Sequence, residues 1–235
     1  MSKLRTREPG DGEHAALDQL AREDEGSRAQ FLKLCGGAGA AGALAIFVAA
    51  CGDDDETSGG GSSGGSSPEG GASAKGDLKI VNYALTLEYL EADFYEQVLA
   101  SGEVKNKKVG EVAKSIGENE QEHVVALKAT VQQLGGKPAA KPTTNFEDVL
   151  AGGEKKILET AASVENLGAA AYLGQAGNIK SKDILAAALS IHTVEARHAA
   201  ALNTVVEQPI LPDGAFAKPA TMSEVLKMVK PFIKA

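Results

Sequence analysis

Asn119-Glu120-Gln121-Glu122-His123-Val124 and Val194-Glu195-Ala196-Arg197-His198-Ala199 each place a histidine three residues after a glutamate. On a helix that spacing sets a carboxylate and an imidazole on one face, about a turn apart. The chain has four histidines, and two of them stand in this position. Working outward, Glu88 lies 32 residues before Glu120 in Leu87-Glu88-Tyr89-Leu90, and Glu165 lies 30 residues before Glu195 in Val164-Glu165-Asn166-Leu167. Each is followed seven residues later by a tyrosine, Tyr95 or Tyr172. The two halves therefore repeat one pattern of four ionisable residues.

Apolar residues return every three or four positions around all four segments, and no stretch alternates as a strand does. A first helix is expected from Asp77 to Ser101, with Val81, Leu85, Glu88, Ala92, Tyr95 and Leu99 on its stripe. Gly102 ends it. A second, to about Leu134, carries Val112, Ile116, Glu120, His123, Leu127 and Val131. Gly135, Gly136, Pro138 and Pro142 then open a long connection, in which Thr144 and Glu147 have capping-box spacing ahead of Val149 and Leu150. The third helix, Glu154 to Gln175, has Leu158, Ala161, Glu165, Gly168 and Tyr172. The fourth, Ser181 to Val206, has Leu185, Ala188, His192, Glu195, His198, Ala199 and Leu202. Short, long and short loops describe an all-α, antiparallel four-helix bundle of the ferritin-like kind, with one crossover between helices 2 and 3.

Four carboxylates facing one another inside such a bundle would be strongly destabilising, because each buried charge costs several kcal/mol and like charges repel. Two divalent cations resolve this. Mechanically, Glu120 and Glu195 bridge both ions, while Glu88 with His123 and Glu165 with His198 hold one ion each. The segment after Cys51 has no cysteine, so His and carboxylate are the ligands at hand.

Residues from about Asp77 to Val206 resemble the ferritin-like family, and Ala84-Leu85-Thr86-Leu87-Glu88-Tyr89-Leu90-Glu91-Ala92 is similar to its desiccation-related branch. The resemblance implies a dinuclear iron or manganese centre that reacts with dioxygen or a peroxide. It does not choose among ferroxidase, peroxidase, catalase and oxygenase. The lack of cysteine in the domain removes the iron-sulfur donor of rubrerythrin-type peroxidases, and a lipid tether would crowd a hollow storage shell of many subunits. A small oxidase or peroxide scavenger is the expected function. The competing expectation is a structural or stress-protective lipoprotein in which metals only hold the helices together.

Other residues carry two readings each. Glu91, one turn from Glu88, could replace it as ligand, but its counterpart in the second half is Gly168, which ranks Glu88 first; otherwise Glu91 is a solvated acid or one just outside the ligand set. Tyr95 and Tyr172 are core residues with a bonded hydroxyl or redox partners. His192 either orients a ligand carboxylate or is a satisfied core histidine. Lys227, Lys230 and Lys234 read as a solvated helix face beside Val225, Met228 and Phe232.

The first 50 residues read as an export signal. Ser27-Arg28-Ala29-Gln30-Phe31-Leu32-Lys33 precedes an apolar, glycine-rich run too short and too rich in glycine for a permanent span. It resembles a twin-arginine signal except that Ala29 stands where the second arginine belongs. Val48-Ala49-Ala50-Cys51 resembles the lipobox of bacterial lipoproteins, which implies that Cys51 is lipidated. Residues 51–76 form a Gly/Ser-rich tether, 77–206 the bundle, and 207–235 an extension with a short helix. With 24 Lys/Arg against 32 Asp/Glu and a net charge of −8, no nucleic-acid partner is expected. The expected protein is a monomer or small homo-oligomer, outside the cytoplasm in the cell envelope and anchored by lipid.

Overall fold

A computed structural model describes residues 68–234. Its helices are α1 Pro68–Ser101, α2 Lys107–Gln133, α3 Glu147–Ala151, α4 Gly153–Ala176, α5 Lys182–Val205 and α6 Met222–Val229, followed by a 3-10 turn at Lys230–Phe232. No strand occurs among the described residues. α1 packs along α2 and α4 along α5, giving two hairpins joined by the crossover that holds α3. The fold is the all-α, ferritin-like bundle.

Local chemistry sets the helix ends. Asn106 accepts from the Lys108 and Val109 amides to start α2, and Ser181 accepts from the Ile184 amide to start α5. Gly135 takes a left-handed φ of 72°, which lets the Gly136 amide turn back to the Val131 carbonyl at 2.9 Å and close α2. The buried Asp77 carboxylate receives the Lys180 and Ser181 amides, both at 2.8 Å, tying α1 to the turn between α4 and α5.

The core divides into two apolar clusters. Phe94, Val98, Ile116, Phe146, Ile157 and Leu202 form one; Val81, Leu85, Leu127, Val131, Ile184 and Ile191 form the other. The ionisable residues of the four stripes occupy the band between them. Phe146 stacks on Phe232 at 5.3 Å and meets Phe94 edge to face at 5.0 Å.

Two expectations shift. α1 begins at Pro68 instead of Asp77, so the helix runs back into the stretch assigned to the tether; proline suits a first turn because its missing N–H has no partner there. The crossover helix forms without the Thr144–Glu147 capping box. Thr144 instead donates to Asp93 and accepts from Gln97, while Asn145 caps the Glu147 amide at 3.2 Å. A capping box does occur, at Thr221 and Glu224 of α6. Near the C-terminus Val225 is fully buried, whereas Met228 faces solvent. Cys51, the lipobox and the export signal lie outside the described residues.

The C-terminal extension straps the bundle. The Ala220 amide donates to the Ala170 carbonyl at 2.9 Å, Asn145 donates to the Phe232 carbonyl at 2.8 Å, and Lys234 donates to the Thr143 carbonyl at 2.8 Å. Gly174 of α4 permits this approach, since a Cβ there would lie 1.9 Å from the Ala220 carbonyl oxygen. Gly174→Ala is therefore expected to cost about 1–3 kcal/mol, read as a lower melting temperature. Gly177→Ala, where a Cβ meets nothing within 4 Å, should leave the melt nearly unchanged.

Candidate metal centre

Glu88 on α1, Glu120 and His123 on α2, Glu165 on α4, and Glu195 and His198 on α5 converge in the band between the clusters. All four carboxylates are 0% exposed. His123 Nδ1 lies 3.1 Å from Glu88 Oε2, 3.0 Å from Glu120 Oε2 and 3.3 Å from Glu195 Oε1. His198 Nδ1 lies 3.0 Å from Glu120 Oε1 and 3.2 Å from Glu165 Oε2. Donor atoms fall into two sets, each within 4.8 Å: Glu88, Glu120, His123 and Glu195 in one, and Glu120, Glu165, Glu195 and His198 in the other. Glu120 and Glu195 belong to both.

The tyrosines pair across the bundle. Tyr95 of α1 donates to Glu165 of α4 at 2.6 Å, and Tyr172 of α4 donates to Glu88 of α1. Each hydroxyl thus fixes the carboxylate of the other hairpin. Asn119, which the spacing did not single out, accepts from His198 Nε2 at 3.1 Å. A carboxamide oxygen at Nε2 keeps the proton there and turns Nδ1 toward the carboxylates. The only signal for it in sequence was a polar residue beside Glu120.

Glu91 is 3% exposed and points into the same band. A Cβ on Gly168 would come 2.8 Å from Glu91 Oε1 and 2.7 Å from Glu195 Oε2, so the missing side chain at Gly168 is what makes room for this fifth acid. His192 stands apart from the carboxylates: its Nδ1 lies 3.0 Å from the Ala169 carbonyl.

The electrostatics show what the cluster lacks. Burial, then neighbouring carboxylates, push Glu91 and Glu195 well above the ordinary carboxylate range. Burial lifts Glu88 to about 7 against the opposing pull of His123, and burial also raises Glu165. For Glu120 burial acts upward as well, but His123 and His198 outweigh it and hold the group low. The histidines are raised, burial being overcome by Glu88 and Glu120 at His123 and by Glu165 and Glu120 at His198. Even so, Glu91 Oε2 and Glu195 Oε2 have no hydrogen bond, and Glu120 Oε1 and Glu195 Oε1 face only imidazole nitrogens, His198 Nδ1 at 3.0 Å and His123 Nδ1 at 3.3 Å. Buried oxygens without a donor are costly. An oxygen-and-imidazole set of this kind suits iron, manganese or zinc, so the residues fit divalent metal.

A model of the ferritin-like domain family matches residues 76–208. The chain belongs to this family. The match spans all four bundle helices from Gly76 onward and thus every residue of the ferritin-like cluster. No curated protein matches the chain.

Proposed function

We propose that the ferritin-like domain binds two iron or manganese ions and acts on dioxygen or a peroxide, as a ferroxidase or peroxide scavenger. The observation that carries this reading is the pair of shared carboxylates: Glu120 and Glu195 lie in both donor sets and are wholly buried, and Glu195 Oε2 has no hydrogen bond. Glu120 and Glu195 would be shared between the two ions, Glu88 and His123 would hold one, and Glu165 and His198 would hold the other. When bound, iron or manganese at these residues would supply redox chemistry, two electrons per pair of ions. The chain contributes position and protons: Tyr95 and Tyr172 hold the terminal carboxylates, Asn119 sets the His198 tautomer, and the two apolar clusters keep bulk water out of the band. Glu91 lies closest to these carboxylates as an acid able to hold a proton. The segment Ala84–Ala92 favours the desiccation-related branch. Anaerobic loading with Fe(II) or Mn(II) should give two ions per chain, and peroxide should change the optical spectrum of the iron form. Fewer than one ion per chain would overturn the reading.

Location is proposed on sequence. Cys51 is the lipid attachment site and the Gly/Ser-rich stretch after it holds the domain off the membrane outside the cytoplasm. Cys51→Ala should then shift the expressed protein from the detergent phase to the aqueous phase or leave it unprocessed; equal partitioning of wild type and variant would refute the anchor.

A further inference from the structure

Beside the proposed ligands the bundle is not completely filled. Between the early part of α1, the late part of α2, the late part of α4 and the start of α5 lies a partly open cavity of about 30 Å³. A single water needs ~10–15 Å³, and the engineered cavity that takes benzene has ~150 Å³. The space therefore suits one very small molecule. On its lining Tyr83, Thr130, Ala187 and Ala188 are partly exposed, whereas Leu87, Ala171 and Tyr172 are buried. The cavity thus runs inward from the surface and ends one side chain from the centre: Leu87 precedes Glu88 in the chain, and the Tyr172 hydroxyl donates to Glu88.

The wall decides what that molecule is. Ala84, Leu127 and Ile184 help to make it almost wholly carbon. Of the described residues on the lining, only Tyr83, Thr130, Tyr172 and Gln175 carry a polar side-chain group. Thr130 donates to the Ala126 carbonyl, Tyr172 to Glu88, and Gln175 accepts from Asn178. Water and hydrogen peroxide bring O–H groups that lose their partners against such a wall, and apolar cavities stay dry for this reason. Dioxygen has no proton to donate and is a very weak acceptor. It leaves water for an apolar cavity without losing a hydrogen bond.

We infer that this cavity holds dioxygen at the edge of the centre, and that the bundle admits dioxygen by this route in preference to hydrogen peroxide. The use of dioxygen at the centre rests on the proposed metal function; occupancy of the cavity does not.

Occupancy is tested on the full chain after chelation, so that failure to bind metal cannot imitate an empty cavity. A xenon-pressurised crystal of the metal-free protein should show xenon against Leu127 and Ile184. Dissolved dioxygen, being paramagnetic, should speed the relaxation of the Leu87, Leu127 and Ile184 methyl protons beyond that of other buried methyls. Ala188→Val narrows the cavity seven residues before Glu195, and its added methyl groups take the space of the gas. It should cut both signals by about tenfold, with the helical circular dichroism and the metal content after loading as in wild type. Should that variant misfold, Ala84→Val gives the same reading from α1. After Fe(II) loading, either variant should slow the spectral change caused by dioxygen by about tenfold and that caused by hydrogen peroxide by less than about twofold. Gas signals absent from the cavity, or unchanged in both variants, would mean a packing void only and overturn the inference. Equal slowing with the two oxidants would overturn the preference. Gas in the cavity of a protein that takes up no iron would uphold occupancy and overturn the metal reading instead.

Discussion

Replacing Glu195 with leucine is expected to raise the melting temperature of the metal-free protein while abolishing uptake of both ions. Glu195 is fully buried, and its Oε2 has no hydrogen bond. It faces Glu91 across the gap at Gly168, and burial together with Glu120, Glu88 and Glu165 disfavours its charge. Its one near cation is His123 at 3.3 Å, which keeps Glu88 and Glu120 as partners. Exchanging a buried polar group that lacks a partner for a well-packed apolar residue relieves a desolvation penalty of about 1–3 kcal/mol, or very roughly 3–10 °C for a domain of this size. In the loaded protein the sign reverses, because the same carboxylate belongs to both donor sets. Glu120→Ala should also lose both ions, whereas Glu88→Ala or His123→Ala should weaken one ion more than the other. Metal analysis after loading and parallel thermal melts read both halves. A Glu195→Leu protein that loads like wild type, or whose metal-free form melts several degrees lower, would show that the residue is not a bridging ligand.

Chelation is expected to lower the melting temperature at pH 7.5, and the gap should close toward pH 5. At an ion concentration of about a hundred times Kd, binding to the native state alone stabilises by about 2.7 kcal/mol. The pH dependence follows from the protons that stand in for metal. Glu88 has a folded pKa of about 7 against an ordinary value of 4.5. Between those values the native state binds a proton that the unfolded state does not, so metal-free stability falls as pH rises and the contribution is gone above pH 7. The raised Glu91, Glu165 and Glu195 act in the same direction. The raised histidines contribute fully below 6.5 and lose that contribution only above their folded values. Glu120, held low, withdraws its contribution only below 4.5. Between pH 7.5 and 5 the metal-free protein therefore gains stability, while the loaded protein loses affinity as protons compete for the ligand atoms. Loading at pH 7 should release protons, measurable with an indicator in weak buffer. Equal melts with and without metal at pH 7.5, or a gap that widens in acid, would contradict this account.

The bundle was legible because the stripes of four segments share one period and each is interrupted by an ionisable residue at the same depth. Glu88, Glu120, His123, Glu165, Glu195 and His198 could be named from spacing alone, since a helix maps sequence interval onto height and face. The interval of seven from each glutamate to a tyrosine was equally visible. Its meaning was not, because Tyr95 bonds Glu165 and Tyr172 bonds Glu88, and which helices cross is a matter of packing between hairpins. Gly168 was noted as the counterpart of Glu91 and used to rank Glu91 below Glu88. The structure gives the pair a different sense, one residue providing the space that the other fills. The bond from Asn119 to His198 and the tie from Asp77 to the turn at Lys180 and Ser181 are not legible in sequence, because a single polar residue on a helix is ordinarily solvated. The early start of α1 at Pro68 lay hidden in a composition that reads as tether.

The crossed tyrosines carry a consequence for how such a domain can arise. Neither hairpin holds a complete set: the first lacks the phenol for its own Glu88, the second lacks the phenol for its own Glu165, and each receives it from the other. Two copies of a single helical hairpin, associated about a twofold axis, would exchange the same hydroxyls and assemble the same carboxylates. The chain is in this sense a homodimer written as one polypeptide. Fusion of the copies removes the requirement that both remain alike, and Glu91 opposite Gly168 is a place where they have parted. A symmetric pair could not put an acid on one side and leave its space on the other.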